Sequence, residues 1–299
     1  MKNLTNLIMQ HNLALCLENI KKFNLNSSDT LEQDDNKTIQ RNWAFNFYIE
    51  SRVFEYAKWL ETSDESSNYT YDLRNYHHLY GWIDAVTSCG LDVAKKYINE
   101  ITSDVELASY IQAAEIESKS KDLFTKYPGK LYGRRIGWYA ITRIKKPKFI
   151  VETGVDRGLG SVLLCRALMR NTLEGYPGKY LGTDINPNAG YLLQGNLRQF
   201  GEIKYGDSIQ TLRTIKDSVD IFINDSDHSA EYEENEYETI KENLSIAPIV
   251  LGDNSHVTSK LYEFAERQNM SFLHYAEQPA AHWYPGAGIG AAFKKIQTT

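Results

Sequence analysis

Phe149-Ile150-Val151-Glu152-Thr153-Gly154-Val155-Asp156-Arg157-Gly158-Leu159-Gly160-Ser161 is an apolar run that ends in an acid and then a glycine-rich turn. Val162-Leu163-Leu164-Cys165-Arg166-Ala167-Leu168-Met169 follows with helical periodicity. Strand, turn and helix in that order open a nucleotide-binding βαβ unit. Gly154 and Gly158 would let the backbone approach a ligand. The helix N-terminus behind them offers free N–H groups and a positive dipole end. Gly160 reads as the small residue that lets this helix pack close to the sheet.

Downstream the pattern keeps alternating. Strands are expected at 148–152, 179–184, 202–205, 219–224 and 247–251, with helices over 160–171, 188–199, from Ser208, 230–243 and 257–268. Residues 271–277 and 288–294 read as two strands joined without a helix. Five βα units predict an α/β fold with a doubly wound, Rossmann-like parallel sheet. The helix-free last pair implies an antiparallel strand at its edge or inserted within it.

Upstream the chain reads as helical and aromatic. Helical spacing covers 4–20, 38–60, 74–88, 91–101 and 104–124, broken by polar stretches at 24–36 and 62–70. Trp43, Trp59, Tyr69, Tyr71, Tyr76, Tyr80 and Trp82 are expected to be core of a helical cap, with an acceptor pocket or subunit interface as the functional alternative. A basic helix over 131–144 (Arg134, Arg135, Arg143) would lead into the sheet. The expected division is a helical N-terminal cap or interface domain over 1–130 and a ligand-binding domain over 131–299.

Charge narrows the partners. Residues 1–147 carry 19 basic and 19 acidic side chains, and residues 148–299 carry 14 and 20, so the net charge of −6 lies in the second half. A nucleic-acid or anionic-membrane partner would leave a basic footprint instead. A solvated acidic helix at 231–242 would account for most of the excess. Three scattered cysteines suggest neither a disulfide framework nor a zinc cluster. With no membrane-length apolar run, the expected setting is cytoplasmic.

Ligands of doubly wound sheets bind at the carboxyl ends of the strands. There the sequence sets Glu152 and Gly154, then Asp184, Asp207, Asp225 and Asp253, an acid after each of five strands. Over about residues 131–299 this arrangement resembles the class I S-adenosylmethionine-dependent methyltransferases. Glu152-Thr-Gly154-Val-Asp-Arg-Gly158 is similar to their E-x-G-x-x-x-G loop, and Gly288–Phe293 to their antiparallel last strand in a seven-stranded sheet. The resemblance implies that Glu152, Gly154 and Gly158 meet the donor's amino-acid end, Glu152 reaching its ammonium directly or through water. It further implies that Asp184 binds the ribose hydroxyls, and that Asp207 and Ser208 lie beside the adenine.

A second resemblance concerns the acceptor. Phe222-Ile223-Asn224-Asp225-Ser226-Asp227-His228 is similar to the I-D-x-D-H strand end of divalent-metal-dependent small-molecule O-methyltransferases of the macrolide-sugar type. Leu251-Gly252-Asp253-Asn254 resembles their second metal-binding pair. Asn224 and Ser226 depart from the pattern, which usually has an apolar residue and a glycine there. The resemblance implies Mg²⁺ on Asp225, Asp253 and Asn254, with His228 as general base, and places catalysis on Asp225 and His228. An imidazole near its ordinary pKa of about 6.5 can accept a proton at neutral pH. His256, three residues after Asp253, competes for that role, and Asp227 can equally cap the following helix.

The implied activity is methyl transfer to a hydroxyl of a small acceptor, a sugar or a phenol, by a chain that forms a homodimer. A non-catalytic methyltransferase-like scaffold is the alternative from another class. An NAD(P)-dependent oxidoreductase fits less well. Gly158-Leu159-Gly160-Ser161-Val162-Leu163 supplies only the first glycine pair of G-x-G-x-x-G, and an acid-ringed crevice repels a pyrophosphate while attracting a sulfonium.

Overall fold

The computed structural model describes residues 40, 43, 59, 70–118, 132–280 and 282–294. The expected helix over 4–20, the polar loop 24–36 and nearly all of 38–69 lie outside the described residues. The chain divides into two compact units, Met1–Lys58 and Trp59–Thr299. Of the first, Gln40 and Trp43 are described, and both are helical.

Among the described residues of the second unit, helical Trp59 is followed by α1 (Tyr76–Thr87), α2 (Leu91–Thr102) and α3 (Val105–Ser118). Helix α4 (Arg135–Lys145) leads into β1 (Phe149–Thr153), α5 (Leu159–Leu173) and β2 (Lys179–Asp184). A 3₁₀ turn (Gly195–Phe200) precedes β3 (Gly201–Tyr205), and α6 (Ser208–Arg213) precedes β4 (Val219–Asn224). Then come α7 (Ala230–Ile240), β5 (Leu244–Asp253), α8 (Lys260–Arg267), β6 (Ser271–Ala276) and β7 (Gly288–Phe293).

The strands form one seven-stranded sheet in the order β3-β2-β1-β4-β5-β7-β6. Strands β1 to β5 run parallel, and β7 lies antiparallel between β5 and β6. The helix-free last pair is therefore a hairpin whose second strand is inserted. Register levels the strand ends that matter: Glu152 pairs with Gly182 on one side and Ile223 on the other. This brings Gly154, Asp184 and Asp225 to one edge of the sheet.

Both faces of the sheet are covered, which is why β1 is apolar at successive positions. Ile150 joins a core with Leu79, Trp82, Trp138, Leu163 and Ile289, whereas Phe149 and Val151 join another with Leu212, Tyr237 and Phe264. Burying each such side chain stabilises the fold by about 1.5–3 kcal/mol relative to exposure.

Helix α1 packs on α4 and on β6, and Trp82 Nε1 donates to the Leu273 carbonyl at 3.4 Å. One expectation needs correction. Residues 188–199 form a looped turn and a 3₁₀ segment instead of a helix. Gly190 and Gly195 sit at φ +74° and +47°, values incompatible with a right-handed helix. Arg134, just before α4, and Arg135 and Arg143 within it are all buried.

Candidate active site

At the carboxyl edge of the sheet a cavity of about 530 Å³ opens between the ends of β1, β2, β3 and β4. Asp156, Asp184, Asp207, Asp225 and Asp227 line it, together with Gly154, Gly206, Ser226 and Tyr232. Among the described residues no lysine or arginine lines it. Five carboxylates without a basic side chain favour a cationic ligand over an anionic one, and the volume suits a small molecule.

Two buffered turns shape this cavity. The Asp184 carboxylate accepts the N–H groups of Val155 and Asp156 at 2.9 and 2.8 Å, and that of Asn186 at 2.8 Å. It thereby fixes the glycine-rich loop, in which Asp156 adopts φ +47°. Asp207 caps α6 by accepting from Gln210 N at 2.8 Å. Ser208 also lines the cavity, and its hydroxyl hydrogen-bonds Glu236 and Tyr232.

Glu236 is the residue that ties the strand ends together. Its buried carboxylate accepts from Thr153 Oγ1 and Ser226 Oγ, both at 2.9 Å, and from Ser208 and Asn224. Burial pushes this carboxyl up, while the four hydrogen bonds pull it down. The acidic helix expected at 231–242 is thus only partly solvated, since Glu233 and Glu236 are 2% and 0% exposed.

Glu152 and the glycines shape the loop itself. Glu152 is buried and points behind the loop, where Tyr180 and Ser161 (3.4 Å) donate to its carboxylate. It supports the loop from below and is not among the residues that line the cavity. Burial pushes its carboxyl up to about 7, against the Tyr180 hydrogen bond. Gly154 and Gly158 adopt φ +78° and +93°, and the backbone itself requires both. A Cβ on Gly154 would stand 1.9 Å from the Asp225 carbonyl oxygen, and one on Gly158 2.9 Å from Gly190 Cα. Gly160 packs as expected: a Cβ there would meet Glu152 at 2.5 Å and Trp138 at 2.9 Å.

Beyond Asp225 lies a second cluster. Asp225, His228 and Asp253 each offer a ligand atom within 4.8 Å of the others. His228 Nε2 is 4.0 Å from Asp225 and 3.1 Å from the Asn254 amide, and its Nδ1 is 3.6 Å from Glu233. Asn254 turns into the cluster from the left-handed region, at φ +51°, which asparagine tolerates. Its Oδ1 is buried and accepts no hydrogen bond from the described residues. Two carboxylates, an imidazole and an orphaned amide oxygen fit a hard divalent cation. Glu233 raises the His228 pKa, opposed by burial and helped by the charge of Asp253. Burial and the negative charge of Asp253 push the Asp225 carboxyl up. Burial would raise Asp253 too, but the Arg134 guanidinium outweighs it and holds this carboxyl down. His256 is exposed and faces His274, with ring centroids 6.0 Å apart, outside the cluster.

Sequence reading missed the cations beside these acids. Arg134 forks onto both oxygens of Asp253 at 2.5 Å and also reaches Glu277 at 2.8 Å and the Tyr71 hydroxyl at 2.7 Å. Arg135 lies 3.8 Å from Asp225. Glu277 opens the loop that joins β6 to β7, and Leu73 bridges to Pro279 of that loop. Tyr71 and Trp82 are buried as core, as expected of the upstream aromatics, while Tyr71 also packs at a tilt on Tyr284, ring centroids 5.4 Å apart. Only a charged pair at the start of a helix, Arg134-Arg135, hinted at this arrangement.

Residues 151–255 match the family model described as "Methyltransferase domain". The matched segment runs from within β1 to just past β5 and so takes in the strand ends that line the cavity. Among solved structures the chain is similar to an O-methyltransferase from Bacillus cereus in complex with SAH, at 15% identity and TM-score 0.46, covering 71% of this chain and all (100%) of that one. It is also similar to the O-methyltransferase TomG from Streptomyces achromogenes, involved in tomaymycin synthesis, in complex with SAM (14% identity, TM-score 0.46, 68% and 96% covered). A methyltransferase from Geobacter sulfurreducens is similar at 15% identity and TM-score 0.45, with 64% and 90% covered. At this level of likeness their substrates say nothing about this chain. No curated protein matches it. Among the described residues no helix is long and apolar enough to cross a membrane.

Proposed function

We propose that this protein transfers the methyl group of S-adenosylmethionine to a hydroxyl of a small acceptor, a sugar or a phenol, assisted by a divalent cation such as Mg²⁺. The observation that carries the proposal is the juxtaposition of two sites along one edge of the sheet. An acid-lined cavity suited to a cationic donor adjoins the Asp225–His228–Asp253 cluster, and Asp225 belongs to both.

Asp156, Asp184 and Asp207 surround the donor electrostatically, and the loop amides held by Asp184 give its site a fixed shape. Asp225, Asp253 and Asn254 would hold the cation. When bound, it supplies positive charge that acidifies an acceptor hydroxyl and orients it. His228, with Nδ1 towards Glu233, presents Nε2 to the cluster and would accept the hydroxyl proton as the oxygen attacks the sulfonium methyl. The methyl carbon–sulfur bond breaks as the oxygen–carbon bond forms, leaving S-adenosylhomocysteine. The acceptor is a small molecule rather than a nucleic acid or membrane, because the site is ringed by acids. A homodimer in the cytoplasm completes the proposal.

The test is calorimetry with S-adenosylhomocysteine, followed by transfer of labelled methyl into small-molecule extracts. Donor binding, with transfer abolished by EDTA and by Asp225→Ala, is the expected result. Full transfer in EDTA would remove the cation from the mechanism. Donor binding without transfer to any acceptor would favour the scaffold alternative.

A further inference from the structure

We propose that Arg134 is an internal counter-cation of the acid cluster, which shares Asp253 with the divalent ion and holds that ion's affinity down. The inference rests on the cation site proposed above and concerns how strongly this chain binds the ion.

The geometry is specific. Arg134 is 5% exposed, and its Nε and Nη2 each bond one oxygen of Asp253. A fork of this kind uses both inner lone pairs of a carboxylate, the ones a metal also prefers, and leaves the outer ones. Its remaining nitrogen, Nη1, is taken by Glu277 and the Tyr71 hydroxyl, so the guanidinium has no room to swing away. Glu277 is in turn anchored, with its other oxygen accepting from Tyr71 and Oε1 from Ala287 N at 2.8 Å. Arg134 is therefore a permanent positive charge built onto one of the two cluster carboxylates. Like charges at such short range in a buried site repel strongly. An ion bound to Asp225 and Asn254 would meet only the outer side of Asp253, beside a guanidinium.

The same arrangement dictates what its removal does. Taking Arg134 away leaves Asp253 and Glu277 buried and uncompensated, the situation in which a buried ion pair costs most to break. A divalent cation then becomes the natural replacement for the lost charge. Arg134 is a positioning residue in this scheme, since it acts through Asp253 and not on the reacting atoms.

The experiment is titration of Mn²⁺ into the full-length chain, by calorimetry and by electron paramagnetic resonance, with thermal melts in the presence and absence of Mn²⁺. Arg134→Gln is expected to bind Mn²⁺ at least tenfold more tightly than the wild type, and to gain more melting temperature from the ion. Arg134→Lys, which keeps the charge, is expected to remain within about threefold of the wild type, close to the precision of such ratios. Glu277→Gln tests the idea in the opposite sense without removing Arg134. It leaves the guanidinium less neutralised and should weaken Mn²⁺ binding severalfold. Unchanged binding in Glu277→Gln, or equal or weaker binding in a folded Arg134→Gln, overturns the proposal while leaving the cation site standing. Absence of Mn²⁺ binding in the wild type and in every variant overturns both.

Discussion

The α-carbon of Gly154 approaches the end of β4 so closely that a methyl group on it would lie 1.9 Å from the carbonyl oxygen of Asp225. The donor loop and the acid cluster are thus packed backbone to backbone. Each constrains the other through a position where only a hydrogen atom fits.

Gly154→Ala should accordingly damage binding and stability together. The left-handed φ of +78° adds strain to the clash, and overpacking against backbone costs about 1–3 kcal/mol beyond it. Calorimetry should record S-adenosylhomocysteine affinity down by tenfold or more, with a lowered melting temperature. Wild-type affinity would mean that the two loops can separate freely.

Glu236 offers a sharper stability test. Replacing it by Leu leaves the donors of Thr153, Ser208, Asn224 and Ser226 without their shared acceptor. Each unsatisfied buried group costs roughly 1–3 kcal/mol, so a loss of about 3–5 kcal/mol is expected after relaxation. Urea unfolding of Glu236→Leu beside the exposed control Glu231→Leu separates the hub from general helix effects.

Glu152 makes stability fall as pH rises. Its carboxyl is held near 7 in the folded chain, whereas an unfolded glutamate titrates near 4.3. The folded state therefore keeps a proton that the unfolded state has released. The stability this provides is complete below about pH 4 and is lost on passing through 7, to the extent of roughly 3–4 kcal/mol. Glu152→Gln should flatten the stability curve between about pH 4 and pH 8. An unaltered curve, measured by denaturant midpoints across that range, would refute it.

Asp104 joins the upstream helices to the sheet. Arg166 forks onto it at 2.7 and 2.9 Å, Arg170 reaches it at 2.7 Å, and it accepts from Leu107 N at 3.0 Å at the start of α3. Burial opposes its ionisation, but these partners hold its carboxyl below the usual range. Asp104→Ala should cost about 3–5 kcal/mol by removing the buried carboxylate on which Arg166 forks, read as a fall in the denaturant midpoint at neutral pH.

The two histidines separate in activity. His228→Ala should lower labelled-methyl transfer by about 10²- to 10⁴-fold, the usual contribution of a general base. His256→Ala should leave it nearly unchanged, since that ring lies outside the cluster. Equal losses in both would remove His228 from its proposed role.

Much of this architecture could be read from sequence because it is written in local patterns. The alternation from Phe149 onward specifies parallel strands, and β7 betrays itself by the absence of a helix after β6. Positions such as Asp184, Asp225 and Asp253 follow from the strand ends alone. What escaped reading depends on tertiary pairing. Glu236 looks like any other glutamate of an acidic helix until Thr153, from another strand, is brought beside it. Arg134 and Asp253 are separated by 119 residues, and nothing local distinguishes their charges from solvated ones. Residues 188–199 carry helical spacing, but the packing of Gly190 against Gly158 overrides it.

Tyr71 and Glu277, whose side chains meet, lie 206 residues apart. At translation rates of about 5–20 residues per second, roughly 10–40 s separate the emergence of one from that of the other. For most of that interval α1 and its neighbours have no β6 to pack on, and Arg134 lacks Glu277 until its end. The apolar faces destined for the sheet then stand open in the nascent chain. Completion of the final hairpin, rather than formation of the glycine-rich turn, is the event that seals this protein during its synthesis.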